Sequence, residues 1–263
     1  MIQERQQAFL GAGMTAYITH TACLGHNMGE GHPEGPERLA AIKDRLMAAQ
    51  VFDFLNQVDA PSVSEAQLAR VHPPKYIEYL ESVQPSVGTY RVDTDTAMNS
   101  GTLDAARHAA GAVVKAVDMV MNGQAPNAFC AIRPPGHHAE TRKAMGFCFF
   151  NNIAVGAMHA IAEHGIERVA ILDFDVHHGN GTEEIFKNDD RVMLLSLFQH
   201  PFFPYCGDKP IGNNPNIVNT PMKSGSKGED VREVVADLWQ HKLDAFQPQI
   251  IFISAGFDGH LED

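Results

Sequence analysis

Three short segments concentrate side chains able to do acid–base and metal chemistry: Arg133-Pro134-Pro135-Gly136-His137-His138, Asp173-Phe174-Asp175-Val176-His177-His178 and Ala255-Gly256-Phe257-Asp258. Together they hold four histidines and three aspartates. Asp175 and His177 stand two apart, a spacing that on extended backbone turns both side chains to one side. Asp258 can complete a set of three oxygen and nitrogen donors and leave positions open for water and substrate. That is the layout of a catalytic metal site, whereas a structural zinc closes its shell, usually with cysteines. Zinc suits these donors, and iron, cobalt or manganese also accept them. The adjacent His137 and His138 suit proton transfer to and from a water. Asp173 is near enough in sequence to orient one of the imidazoles and stabilise its charge. Such a set performs metal-assisted hydrolysis of an amide or ester. A lone histidine is more often a hydrogen-bonded packing or surface group, so His20, His26, His108, His159, His164, His200 and His241 are read that way. The three segments carry weight because they occur together.

Each segment follows a short apolar run that reads as a strand: 127–132, 168–172 and 249–254. Runs at 15–19 and 192–197 are similar, and all five predict strands buried on both faces. Helical spacing appears at 36–47 with Pro36 in the first turn, at 102–121 ending near Asn122-Gly123, at 153–163 and at 230–246. Strands alternating with helices predict an α/β fold with an open, mainly parallel sheet flanked by helices. Sites of such sheets lie beyond the carboxyl ends of the strands, so the three segments should share one rim. No repeat or long linker divides the chain. We expect a single domain over 14–263, preceded by an N-terminal tail of residues 1–13.

The chain has 263 residues, 44% of them hydrophobic, which is ample for a buried core. Lys plus Arg number 20 against 32 Asp plus Glu, for a net charge of −12. An acidic surface argues against nucleic acid and anionic membranes, which need a positive field, and tolerates a cationic ligand. No apolar run approaches a membrane span, and the N-terminus lacks the apolar stretch of a signal peptide. Cys23, Cys130, Cys148 and Cys206 form no Cys-x-x-Cys pair. Reduced thiols and a cytoplasmic location are expected.

At these residues the sequence resembles the histone deacetylase superfamily, which includes acetylpolyamine amidohydrolases. The resemblance runs from about Tyr17 to Asp263. It is carried by Gly31-His32-Pro33-Glu34-Gly35-Pro36-Glu37-Arg38, Arg133–Ala139, Gly146-Phe147-Cys148, Asp173–Thr182 and Ala255–Asp258. The Arg-Pro-Pro-Gly-His-His and Gly179-Asn180-Gly181-Thr182 segments resemble the class II branch and its bacterial relatives. The resemblance implies an arginase/deacetylase-like fold and a zinc ion, with iron as the alternative, bound by Asp175, His177 and Asp258. It implies that His137 and His138 flank the attacking water, His138 being the general base and then acid, with Asp173 paired to His137. Asn180 stands where the class I branch has an aspartate behind the second histidine. Gly146 and Phe147 would line an acyl-lysine tunnel, with Phe203 as the facing wall. Asp95 aligns with a rim aspartate that grips the substrate backbone, Asp93 being the alternative. A structural potassium ion would take Asp173, Asp175, His177, Ser196 and the Leu197 carbonyl.

The implied substrate is an acetyl-lysine peptide or protein, or an acetylpolyamine. Family members usually continue past the Gly-Phe-Asp motif into a glycine-rich loop ending in a tyrosine that polarises the acyl oxygen. This chain ends at Asp263, so the domain is expected to be C-terminally incomplete. An uncovered sheet edge would then favour a homo-oligomer, and a catalytically weak acyl-lysine-binding protein is a rival reading. A binuclear manganese hydrolase of the arginase type is disfavoured, because no carboxylate stands two residues after His177.

Overall fold

The computed structural model describes residues 13–263; the expected tail, apart from Gly13, lies outside the described residues. In chain order the elements are β1 (Ala16–Thr19), α1 (Glu37–Ala48), β2 (Asn56–Asp59), α2 (Glu65–Leu68), α3 (Pro74–Val83), β3 (Tyr90–Arg91), β4 (Ala97–Met98), α4 (Thr102–Met121), β5 (Ala128–Cys130), α5 (Asn152–His164), β6 (Val169–Asp173), α6 (Asn180–Phe186), β7 (Val192–Gln199), β8 (Ile217–Met222), α7 (Gly228–Val234), a π-helical turn (Val235–Trp239), α8 (Gln240–Phe246) and β9 (Ile250–Ser254).

The parallel strands fall into two sheets, ordered β2-β1-β5 and β8-β7-β6-β9, beside an antiparallel β3-β4 ribbon. Both main sheets are parallel throughout, and helices flank them, as an α/β fold requires. Helices α4 and α5 form the layer that joins them. Their shared core takes in Ile171, Leu194 and Phe252 from the second sheet, with Cys130 of the first sheet and Ile132 just beyond it packed against it. Leu194 and Leu195 of β7 and Ile171 of β6 are fully buried, each worth about 1.5–3 kcal/mol relative to exposure.

The expectation that all five strands bury both faces holds for the centre and fails at the margins. Strand β7 is buried from Val192 to Phe198. Strands β5 and β9 each pair on one side among the described residues, and Phe129, Ile251 and Ile253 are 40%, 50% and 58% exposed. Edge position, rather than sequence, decides their burial.

Two local devices bring the helices to the site. The Asn151 side chain caps α5, its Oδ1 accepting from the Ala154 N–H at 3.0 Å. The same amide donates to the Ala139 carbonyl at 3.2 Å, so the helix start is tied to the loop that carries His137 and His138. Further back, Arg133 is wholly buried. Its guanidinium grips both oxygens of Glu34, with Nε–Oε1 and Nη2–Oε2 distances of 2.5 and 2.7 Å. It also donates to the carbonyls of Cys23 and His26. This fork-to-fork pair locks the segment around Glu34 against the loop after β5.

Candidate metal and catalytic site

The loops after β5, β6 and β9 meet on one rim. In register, Asp173 at the end of β6 faces Ser196 of β7 and Ser254 of β9. The chain then turns Asp175 and His177 towards Asp258. His177 Nδ1 lies 3.1 Å from Asp175 Oδ1 and 3.0 Å from Asp258 Oδ2. One donor atom from each of the three residues falls within 4.8 Å of the others. The loops are pinned by the backbone: the Val176 N–H donates to Asp258 Oδ1 at 3.1 Å and the His177 N–H to Asp175 Oδ1 at 2.8 Å. Gly256 has to be glycine here, since a Cβ would sit 2.1 Å from the Asp175 carboxylate.

Two carboxylates converging on one imidazole make a cradle for positive charge. Burial pushes His177 down, yet its bonds to Asp175 and Asp258 outweigh that and carry it up to about 9. Burial likewise opposes the ionised form of Asp175, but His137 and the bonds from His177 hold it well below the usual carboxylate range. Borderline divalent ions accept such an oxygen and nitrogen set, so the residues present fit the expected metal.

Beside this cradle, His137 and His138 stand with ring centroids 4.0 Å apart. His137 Nδ1 is 3.0 Å from Asp173 Oδ2, and its Nε2 is 3.8 Å from Asp175 Oδ2. His138 Nδ1 is 2.8 Å from Asn180 Oδ1, and Asn180 Nδ2 donates to Glu140 Oε1 at 2.8 Å. That second bond sets the Asn180 amide with its oxygen towards His138, so His138 donates from Nδ1 and keeps the Nε2 lone pair free. The two imidazoles are driven apart electrostatically. Burial lowers His137, but the nearby carboxylates of Asp175, Asp173 and Asp258 overcome it and raise it to about 9. Burial and the His137 charge push His138 well below the usual imidazole range. The carboxylates thus favour the charged form of His137, while the surroundings of His138 favour its neutral form.

Around the pair are the expected tunnel residues. Gly146 has φ of 54°, and a Cβ there would meet the His138 ring at 2.3 Å. Phe147 follows in the left-handed region with φ of 67° and sets its ring edge-on to His32, at 4.7 Å between centroids. Phe203 stands edge-on to His138 at 5.2 Å. Of the two rim candidates, Asp95 reaches this wall: its Oδ1 accepts from the Gly146 N–H at 3.2 Å and from the Thr96 hydroxyl. Asp93 instead faces Lys143 at 3.6 Å. Ser196 is buried, and its Oγ has no partner among the described residues.

Two participants escaped the reading of the sequence, and one of the four histidines expected on the rim does not stand there. Phe202 stacks on His177 at 5.0 Å, although Phe203 was the expected wall. Glu140 backs Asn180; its place in the run that begins Arg133-Pro134 was the only signal. His178 turns away from the rim and bonds Glu183 at 2.7 Å, both side chains being buried.

Most of the chain is similar to known proteins of one family. The family described as histone deacetylase domain matches residues 32–263. A probable deacetylase of Archaeoglobus fulgidus is 37% identical over 95% of this chain and 70% of its own length. A histone deacetylase-like amidohydrolase of Pseudomonas aeruginosa is 38% identical over 89% of this chain, which spans 62% of that relative. Among solved structures, the HDA15 HD domain superposes with a TM-score of 0.90 at 35% identity, covering 95% of this chain and 75% of that one. With sequence, fold and the rim of histidines and aspartates in accord, the chain belongs to the histone deacetylase family.

Proposed function

We propose that the protein is a zinc-dependent deacetylase that hydrolyses the N-acetyl amide of acetyl-lysine. The observation that carries this is the pair of His137 and His138, held by Asp173 and Asn180, side by side against the Asp175–His177–Asp258 cradle. Zinc held by those three residues, with iron as the alternative, would supply Lewis acidity towards a carbonyl and a water. His138 takes a proton at Nε2 as the water attacks, and returns it to the leaving amine. Asn180, fixed by Glu140, holds the Nδ1–H end of that ring throughout. His137 stays an imidazolium against Asp173 and contributes positive charge where the oxyanion develops. Gly146, Phe147 and Phe203 would sheath the aliphatic part of the acyl-lysine, and Asp95 would accept from its backbone N–H with Oδ2. A structural potassium ion on Asp173, Asp175, His177, Ser196 and the Leu197 carbonyl is supported by the unpartnered Ser196 Oγ. Four free cysteines support a cytoplasmic location, and no helix among the described residues is long and apolar enough to cross a membrane.

The test is acetate release from an acetyl-lysine peptide, with an N-acetylpolyamine in parallel, by the chain loaded with one equivalent of zinc. Turnover should vanish with a chelator and return with zinc. His138→Ala should reduce it by about 100-fold or more while zinc stays bound. Retained turnover in His138→Ala would remove the assigned base. Turnover of the polyamine alone would reassign the substrate, and tight zinc without any turnover would favour the acyl-lysine-binding reading.

A further inference from the structure

Away from the rim, at the opposite end of α5, a second set of ligand side chains has formed. His159 Nε2 and His164 Nε2 each lie 2.8 Å from the same atom, Asp118 Oδ1. The three residues offer donor atoms that all fall within 4.8 Å of one another. Helix α5 has 13 residues, so its far end is about 20 Å from the Asn151 cap that adjoins the catalytic loop. This cluster is a separate place in the molecule, and nothing in the hydrolytic reading uses it.

We propose that Asp118, His159 and His164 bind a second divalent ion of the zinc type. Two neutral imidazoles and one carboxylate are the donor chemistry such ions prefer. The side chains of His159 and His164 are 6% and 16% exposed while that of Asp118 is 38% exposed, so the protein supplies one side of the shell and water the other. Asp118 lies in the last turn of α4, and His164 is the last residue of α5. Two helix carboxyl ends, each carrying partial negative charge, therefore converge on the ion.

One neighbour opposes the ion. Arg70 Nη1 lies 3.1 Å from His159 Nδ1, while Nη2 pairs with Glu163. A guanidinium only donates, so Nδ1 accepts, and the His159 proton sits on Nε2 facing Asp118. Metal at Nε2 displaces that proton to Nδ1, where Arg70 cannot receive it. Arg70, with its side chain 23% exposed, must therefore swing away from His159 as the ion enters. It acts as a brake on affinity, which gives the site a signature that a fortuitous cluster lacks.

The experiment is a zinc titration of the full metal-stripped chain against a chromophoric chelator, with circular dichroism confirming that each variant is folded. The wild type should take two equivalents. His164→Ala and Asp175→Ala/Asp258→Ala should each take one, and all three changes together none. In the Asp175→Ala/Asp258→Ala background, Arg70→Met should tighten zinc by about 10-fold. The proposal falls if that folded background binds no zinc, if His164→Ala matches the wild type, or if Arg70→Met leaves the affinity unchanged. A wild type whose single equivalent is lost only in His164→Ala would uphold this site and refute the catalytic one, so the two readings fail separately.

Discussion

Two imidazoles whose centroids are 4.0 Å apart repel strongly if both are protonated, and the carboxylates around them decide which one carries the charge. Asp173 and Asp175 face His137; an amide faces His138. Class I relatives are expected to place an aspartate where this chain has Asn180, yet a carboxylate is present one step further out, in Glu140. In the proposed mechanism its charge would polarise the Asn180 amide and steady His138 as that ring takes up a proton. Glu140→Ala should therefore lower kcat by about 10- to 100-fold with zinc content unchanged. Glu140→Gln, which keeps an oxygen for Asn180 Nδ2, should lose less. Equal kcat in Glu140→Ala and the wild type would show that Asn180 holds His138 unaided.

At the scale of elements, the loop that carries His137 and His138 depends on the pairing of Arg133 with Glu34, which joins it to the segment before α1. Arg133→Met leaves the buried Glu34 carboxylate with only the longer contacts to Arg38 and His26, each 3.5 Å, a loss of about 3–5 kcal/mol. For a chain of this size thermal melting should fall by roughly 10 °C, and Arg133→Met/Glu34→Leu should recover part of the loss because no charge is then stranded. A double variant less stable than the single one would contradict this account. The parallel α/β organisation and the site segments were legible in the sequence, because an apolar run ending in Asp-Phe-Asp-Val-His or Gly-Phe-Asp states both a strand and its chemistry. Strands β2 and β8 were not legible. Both are sheet edges, and Asn56, Gln57, Asn219 and Pro221 break the apolar run that marks an inner strand. Glu140 and Phe202 were invisible for a different reason: each acts through a neighbour brought to it by folding. The cluster of His159 and His164 was read as packing, since its third member lies on another helix.

For the molecule as a whole, part of the response to acid comes from histidines that fold in neutral form. His72 donates from Nδ1 to the Thr141 carbonyl and accepts at Nε2 from the Asn151 N–H, so a second ring proton would face a donor at the cap of α5. Burial lowers its pKa to about 4, and burial with the charge of Arg133 lowers that of buried His26 to about 3. Between these values and the ordinary pKa of about 6.5 the unfolded chain holds more protons than the folded one, so stability rises with pH through that window and is lost as pH falls through it. Each histidine should contribute a slope of about 1.4 kcal/mol per pH unit there. Denaturant melts from pH 6.5 to 4.5 check this: His72→Gln should show a shallower fall, and an unchanged slope would exonerate His72.

The bond from Val176 to Asp258 spans 82 positions, and that from Arg133 to Glu34 spans 99. Contacts that remote need the loops between them to close, at a cost in chain entropy. During synthesis Asp175 and His177 leave the ribosome well before Asp258, so a nascent chain offers only two of the three cradle ligands. Capture of an ion by all three residues would have to wait until the segment carrying Asp258 has been made and has docked. An ion supplied earlier would meet a half-built cradle and dissociate, and refolding from denaturant should acquire zinc only after the secondary structure has returned.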